Sequence, residues 1–291
     1  MCFFTFATVC VVLFGLGFLF KNQIFVYKEK KFADFINRFM ALYNTAAKVH
    51  KERLFAELRK IKSKDPQLQK EGKLRILEVG CGSGANLEHL PKGSHLIMLD
   101  PNESFRPLLE RNLQKHPSLK LERFVLGKVE EMSSVRDESV DAVVCTLVLC
   151  SVDDVAAALA EVRRVLVPGG KFIFLEHVAA ERGSVLRALQ WFLSASRLWP
   201  SVFCGCILNK ELDKLVKNAG FTTLDLQPVD IFHHKMVCIF YFQRNKKAPG
   251  PPPHNCWCVC RDRLCSHELE RAAAVCCHQP PSADSSRCGR P

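Results

Sequence analysis

The sequence has no G-x-G-x-x-G, no basic residue ahead of its longest apolar run, and almost no net charge through its middle. Residues 21–75 carry 15 Lys/Arg against 6 Asp/Glu, and residues 244–291 carry 8 against 4. Against a formal total of +11 over 291 residues, that leaves the remainder at −2. A near-neutral body lacks the basic face that a phosphate backbone needs, so nucleic acid is excluded as a partner. The missing dinucleotide fingerprint excludes a pyrophosphate held at a helix start in the usual way. Cysteine is not scarce, with 15 residues, but seven of them lie between Cys256 and Cys288 and the others are scattered, mostly in apolar runs such as VVCTLVLC. Thiols so placed behave as small buried hydrophobes in a reduced, cytosol-facing body.

What is present begins with CFFTFATVCVVLFGLGFLF, 19 residues (2–20) without a charge. That approaches the roughly 20 residues a helix needs to cross the hydrocarbon. With no basic n-region and no small-x-small cleavage site, the run reads as an uncleaved anchor rather than a signal peptide. Lys21, Lys28, Lys30 and Lys31 lie on its C-terminal flank and keep the rest of the chain on the cytoplasmic side. Either a spanning or a monotopic anchor satisfies this pattern. The basic segment beside it suits anionic lipid. From Phe32 to Ile61 apolar residues recur at three and four, which describes an amphipathic helix or a pair of them. Such a helix either packs on the domain or lies at the membrane interface as a lid.

From Lys73 onward, short β-rich runs alternate with helical ones. LRILEV, SHLIMLD, LKLERFVL, VDAVVCTLV, KFIFLEH, FTTLDLQP and MVCIFYFQ are the expected strands. Helices are expected at residues 86–90, 104–115, 153–167 and 209–219, with Pro168-Gly169-Gly170 turning into strand five. This alternation predicts βαβ units and a mostly parallel sheet with its ligand site outside the carboxyl ends of the strands. The first strand ends in EVGCGSGAN, which spaces Gly80, Gly82 and Gly84 two apart, with Glu78 two residues before the first. A carboxylate there repels phosphate and suits a cation. Asp100 ends the second strand, where an acid accepts hydrogen bonds from ribose hydroxyls. A nucleoside with positive charge and no pyrophosphate meets these demands, and S-adenosylmethionine is such a molecule.

EVGCGSGAN, MLDPN, SVDAVVCTLVLCSVDD and LAEVRRVLVPGGKFIFLEHVAAE, in this order, resemble the class I S-adenosylmethionine-dependent methyltransferases. More narrowly they resemble the methyltransferase-like seven family of membrane-anchored alkyl thiol methyltransferases, over about residues 1–243. The resemblance implies an α/β, Rossmann-like, seven-stranded sheet in the order 3-2-1-4-5-7-6, strand seven antiparallel, with helices on both faces and an N-terminal anchor helix. It implies a small hydrophobic thiol as acceptor, and residence on the endoplasmic reticulum membrane and on lipid droplets. Glu78, Gly80, Gly82 and Gly84 would line the methionine end of the cofactor, and Asp100 would hold its ribose. Asn102 would contact the adenosine side, Glu130 the adenine, and Thr146 the cofactor through its backbone.

His177 follows strand five on the substrate face, where a neutral imidazole can accept or orient a thiol proton, or can serve only as a loop residue. Cys150 and Cys81 read as packing residues rather than nucleophiles. Methyl transfer to a thiol needs alignment more than a dedicated base, since a few per cent of the thiol is already thiolate at neutral pH. The segment VLRALQWFLSASRLWPSVFCGCI, residues 185–207, forms either core packing or an apolar substrate channel. A lipid or quinone hydroxyl is the alternative acceptor, and a lipid-droplet scaffold without catalysis is the alternative from another class. The expected division is 1–20 anchor, 21–72 basic amphipathic segment, 73–243 methyltransferase domain and 244–291 tail. That tail has no counterpart in the family pattern, and its composition predicts disorder. Its C-x-C-x-C-x4-C matches no standard zinc spacing, and no metal is expected in the chain.

Overall fold

A computed structural model describes residues 21–231 and 234–244. The expected anchor and the tail beyond Arg244 lie outside the described residues, among which no helix is long and apolar enough to cross a membrane. The amphipathic pattern forms one helix, α1 (Lys21–Ala56), followed by a 3-10 turn, Glu57–Lys60. Tyr43, Ala47, Lys51, Leu54 and Leu58 are buried at steps of four, four, three and four, which is one face of that helix and its continuation. Lys51 stands in the middle of this apolar stripe and is completely buried.

The sheet contains β1 (Arg75–Val79), β2 (His95–Asp100), β3 (Lys120–Leu126), β4 (Val140–Thr146), β5 (Leu166–His177), β6 (Phe221–Ile231) and β7 (His234–Arg244). Their order is β3-β2-β1-β4-β5-β7-β6. The first five strands pair in parallel, whereas β7 runs antiparallel between β5 and β6. Every residue of β4 is buried, as a strand covered on both faces requires.

Period two sends alternate residues to opposite faces. Leu77, Val79, Val143, Cys145, Phe172 and Phe174 join one core, which packs against α4 (Val155–Val165) and α7 (Leu212–Lys217). Ile76, Met98, Ala142, Val144, Ile173 and Leu175 join the other core, under α1 and α3 (Arg106–Leu113). The short helix α2 (Pro66–Lys70) precedes the sheet, and α5 (Val185–Ala195) and α6 (Leu198–Val202) follow β5.

Three local expectations differ from the structure. The stretch at residues 86–90 is only a 3-10 turn, Leu87–His89. The helix expected at 104–115 is a 3-10 turn, Glu103–Phe105, leading into α3. Pro168-Gly169-Gly170 is not a turn ahead of strand five but an irregularity inside β5, where the register against β4 jumps from Val140↔Leu166 to Ala142↔Lys171. Gly170 is required there because a Cβ would lie 2.9 Å from the Val167 carbonyl oxygen and 3.0 Å from that of Asp141.

Candidate active site

A cavity of about 680 Å³ opens at the carboxyl ends of the parallel strands. Its floor is the glycine loop after β1 and its roof is α1, which contributes Phe32, Ile36, Phe39, Met40 and Tyr43. The helix therefore packs on the sheet, as one of the two expectations had it, and also covers the cavity.

The three glycines divide the work. All have positive φ: +61° at Gly80, +49° at Gly82 and +81° at Gly84. A Cβ at Gly80 would lie 2.2 Å from Val148 Cγ2, and one at Gly84 would lie 2.6 Å from Leu87 Cδ1 and 2.8 Å from Leu109 Cδ1. Gly82 has only Phe105 nearby, at 3.8 Å. Gly80 and Gly82 line the cavity, whereas Gly84 is a packing glycine beneath it.

Glu78 and Asp100 are the two buried carboxylates of this end. Asp100 accepts from the Gly82 amide at 2.9 Å and from the Asn102 amide at 2.9 Å. Burial pushes its carboxyl up to about 6. Glu78 Oε1 accepts from Asn86 Nδ2 at 2.8 Å, while its Oε2 is buried with no partner among the described residues. Burial lifts this carboxyl to about 7. An unpartnered carboxylate oxygen in a concave site is an acceptor awaiting a cationic donor.

The sequence did not single out Asn86 or Lys51, yet they hold this end together. Lys51 Nζ donates to Asn44 Oδ1 and Asn86 Oδ1, each at 2.6 Å. Asn86 Nδ2 also donates to Thr146 Oγ1 at 2.9 Å, and Asn44 Nδ2 donates to the Ala85 carbonyl at 2.7 Å. The signal that could have revealed the network is a lysine at a core position of an amphipathic helix.

Of the remaining expected residues, Thr146 lines the cavity and is tied to Asn86. Asn102 lines it too, but its side-chain oxygen caps the turn at Ser104, and its amide reaches the Glu29 carbonyl at 3.3 Å. Glu130 is at the rim, and its Oε1 accepts from the Asp153 amide at 2.9 Å.

The other end of the cavity is apolar and sulfur-rich. Trp199 and Phe203 pack with ring centroids 4.3 Å apart, and Phe203 meets Phe39 of α1 at 5.2 Å. His177 faces Cys206, with its Nδ1 3.5 Å from Cys206 Sγ, and Trp199 stands edge-on to its ring at 6.4 Å. Cys206 Sγ lies 3.2 Å from Cys150 Sγ, and all three line the cavity. Cys145 is buried beneath, and its thiol donates to Glu176 Oε1 at 3.3 Å.

Glu176, which the motif reading passed over, braces this end. It is fully buried, and it accepts from the amides of Val148 at 2.7 Å, Leu149 at 2.9 Å and Cys150 at 3.2 Å. The carboxylate thereby holds the turn after β4, in which Leu147 adopts a φ of +60°. Residues 185–207 are not core packing as a whole. Trp199, Phe203, Cys204 and Cys206 line the cavity, whereas Trp191 and Phe192 are more than half exposed.

S-adenosylmethionine fits these groups. Its ammonium and sulfonium suit an acidic end with an orphaned oxygen on Glu78, and its ribose hydroxyls suit Asp100. The volume is that of a ligand pocket, which typically measures about 300–1,000 Å³.

Comparison with known proteins agrees with this geometry. The sequence family described as "Methyltransferase domain" matches residues 77–174. "Thiol S-methyltransferase TMT1A" of Homo sapiens is 41% identical over 201 residues, covering 69% of this chain and 79% of that protein. "Thiol S-methyltransferase TMT1B" of Homo sapiens is 42% identical over 156 residues, covering 54% of this chain and 63% of that protein. Its Mus musculus namesake is 38% identical over 177 residues, covering 61% and 69% respectively.

Proposed function

We propose a reaction from one premise: the chain belongs to the methyltransferase-like seven family of thiol S-methyltransferases, within the class I S-adenosylmethionine-dependent methyltransferases. It transfers a methyl group to the sulfur of small hydrophobic thiols. The observation that carries this reading is a single cavity with two buried carboxylates at one end and an aromatic, thiol-lined wall at the other.

When bound, S-adenosylmethionine supplies an electrophilic methyl group on a sulfonium. Asp100 would accept from the ribose hydroxyls, and Glu78 would receive the ammonium at its free oxygen. Lys51, Asn44 and Asn86 keep Glu78 and the glycine loop in place. The aromatic wall of Trp199, Phe203 and Phe39 binds the alkyl part of the acceptor and keeps water from its sulfur. His177 lies where it can hold the thiol hydrogen during alignment. Most of the acceleration comes from this alignment, because thiolate is intrinsically a strong nucleophile.

The same reading puts the reaction at the cytoplasmic face of a membrane, the endoplasmic reticulum or a lipid droplet. What supports it is an exposed apolar surface on α5 and α6: Val185 at 88%, Leu189 at 50%, Trp191 at 61%, Phe192 at 55% and Leu198 at 59% exposure. Such a surface, beside a cavity that takes a hydrophobic acceptor, suits a lipid interface.

The test uses detergent-solubilised full-length protein, labelled S-adenosylmethionine, and a panel of alkyl thiols, lipid alcohols and quinols. Label on thiols alone, lost in Asp100→Ala, is the expected result. Label on an oxygen acceptor instead would replace the thiol reading with the hydroxyl one.

A further inference from the structure

We propose that Cys150, His177 and Cys206 form a three-ligand site for zinc(II), with the fourth coordination position open to the cavity. The three residues come from separate segments: the turn after β4, the end of β5, and the loop after α6. Cys206 Sγ lies 3.2 Å from Cys150 Sγ and 3.5 Å from His177 Nδ1, and one donor atom from each residue falls within 4.8 Å of the others. Tetrahedral zinc, with Zn–S about 2.3 Å and Zn–N about 2.0–2.1 Å, holds such donors about 3.5–3.8 Å apart. Binding would therefore part the sulfurs by about half an ångström and bring the Cys150 thiol and the His177 ring, now within 4.8 Å, to the same spacing.

The donor set argues for the metal class. Two thiolates and an imidazole select a soft or borderline cation over magnesium or calcium, and three protein ligands with one open place is the arrangement of catalytic zinc. The supports are of the kind that orient ligands. Glu176 accepts from the Cys150 amide, and the Trp199 ring edge confines His177. No spacing motif announces the trio, since 29 positions separate His177 from Cys206 and 56 separate Cys150 from Cys206. This is why the sequence predicts no metal here.

The consequence rests on the thiol reading of the cavity. An acceptor R–SH entering the fourth position gives its proton to water rather than to His177, whose nitrogen the metal would occupy, and its sulfur keeps the electron pair as a metal-bound thiolate. Coordination deprotonates a thiol outright, so the acceptor would be held as its nucleophilic form, aimed along the cavity.

The experiment uses the full-length chain in detergent, reduced, with the seven cysteines between Cys256 and Cys288 changed to serine so that the tail cannot bind metal. Cobalt(II) and zinc(II) are titrated in turn. We expect one equivalent of cobalt with an intense thiolate-to-cobalt band, displaced by zinc. The double variant Cys150→Ser/Cys206→Ser should lose the band and weaken zinc at least about 100-fold, while still binding S-adenosylmethionine. Cys204→Ser, a control on another thiol of the cavity wall, should keep the band. Absence of a thiolate band, or a band unchanged in the double variant, overturns the site. Thiol methylation at full rate in metal-free protein overturns the metal's part in catalysis and leaves the thiol reading standing. A band that depends on the trio, in protein that transfers methyl to no thiol, supports the site and removes the thiol reading instead.

Discussion

Lys51 Nζ lies 2.6 Å from Asn86 Oδ1, and Asn86 Nδ2 lies 2.8 Å from Glu78 Oε1. A lysine on the helix outside the sheet thus reaches, through one amide, the carboxylate at the end of the first strand. Period two explains why it can: Glu78 shares a face with Ile76, and that face is the one α1 covers.

Lys51→Met should therefore do more than remove a charge. It leaves Asn44 and Asn86 without their donor in a buried place, at a cost of about 2–4 kcal/mol in stability. Cofactor affinity should fall by about tenfold or more, as Glu78 and the glycine loop lose their brace. Denaturant unfolding and calorimetric titration measure the two effects. Full affinity in the variant would make Lys51 a packing residue only.

Glu176→Ala should be among the most destabilising changes in the domain. Three backbone amides lose their acceptor at once, and hydrogen bonds to a charged group contribute about 1.5–3 kcal/mol each before relaxation. Glu176→Gln keeps the shape and one acceptor oxygen, so its loss should be the smaller of the two. A thermal melt of both proteins decides, and equal melting temperatures for wild type and Glu176→Ala would contradict the assignment.

The glycine loop predicts an order rather than a single number. At Gly82 an alanine meets only Phe105, in ordinary contact at 3.8 Å, and suffers the positive φ, about 1–2 kcal/mol. At Gly80 the same change adds a clash 2.2 Å from Val148 Cγ2, and at Gly84 it adds clashes with Leu87 and Leu109. Gly80→Ala and Gly84→Ala should accordingly unfold at lower denaturant than Gly82→Ala. Gly82→Ala being the least stable would refute the division between packing and cavity-lining glycines.

The pH dependence follows from burial of the two carboxylates. Glu78 is lifted from 4.5 to about 7 and Asp100 from 3.8 to about 6. Their folded values lie above the unfolded ones, so the stability they contribute is complete below about pH 4 and is lost as pH rises through 6 and 7. The free protein should melt lower at pH 7.5 than at pH 5 on this account. A cationic ligand prefers the ionised forms, so cofactor affinity should move the opposite way, rising with pH and levelling off above about 7. Titrations between pH 5 and 8 test this, and a flat affinity would show that neither carboxylate meets the ligand.

How much was legible beforehand follows from the range of each interaction. The alternation of strands and helices, the acid two residues before the glycines, and Asp100 at the end of β2 were readable because each depends on neighbours within a few residues of chain, whereas the strand order followed only from the family resemblance. The turn around Pro168 was misread because a bulge is defined by the partner strand, and the partner here is Val140–Ala142. Glu176 was invisible for the same reason: its three donors lie 26 to 28 positions away.

The sequence by itself determined the class of fold and the acidic, glycine-rich end of the cavity, since these follow from periodicity and local spacing. Only the tertiary structure decided that Lys51 serves Glu78, that Gly84 packs rather than binds, and that Cys150, His177 and Cys206 share one corner. Side chains brought together across a parallel sheet come from crossover connections of a dozen residues or more, and no local pattern in the chain records which of them will meet.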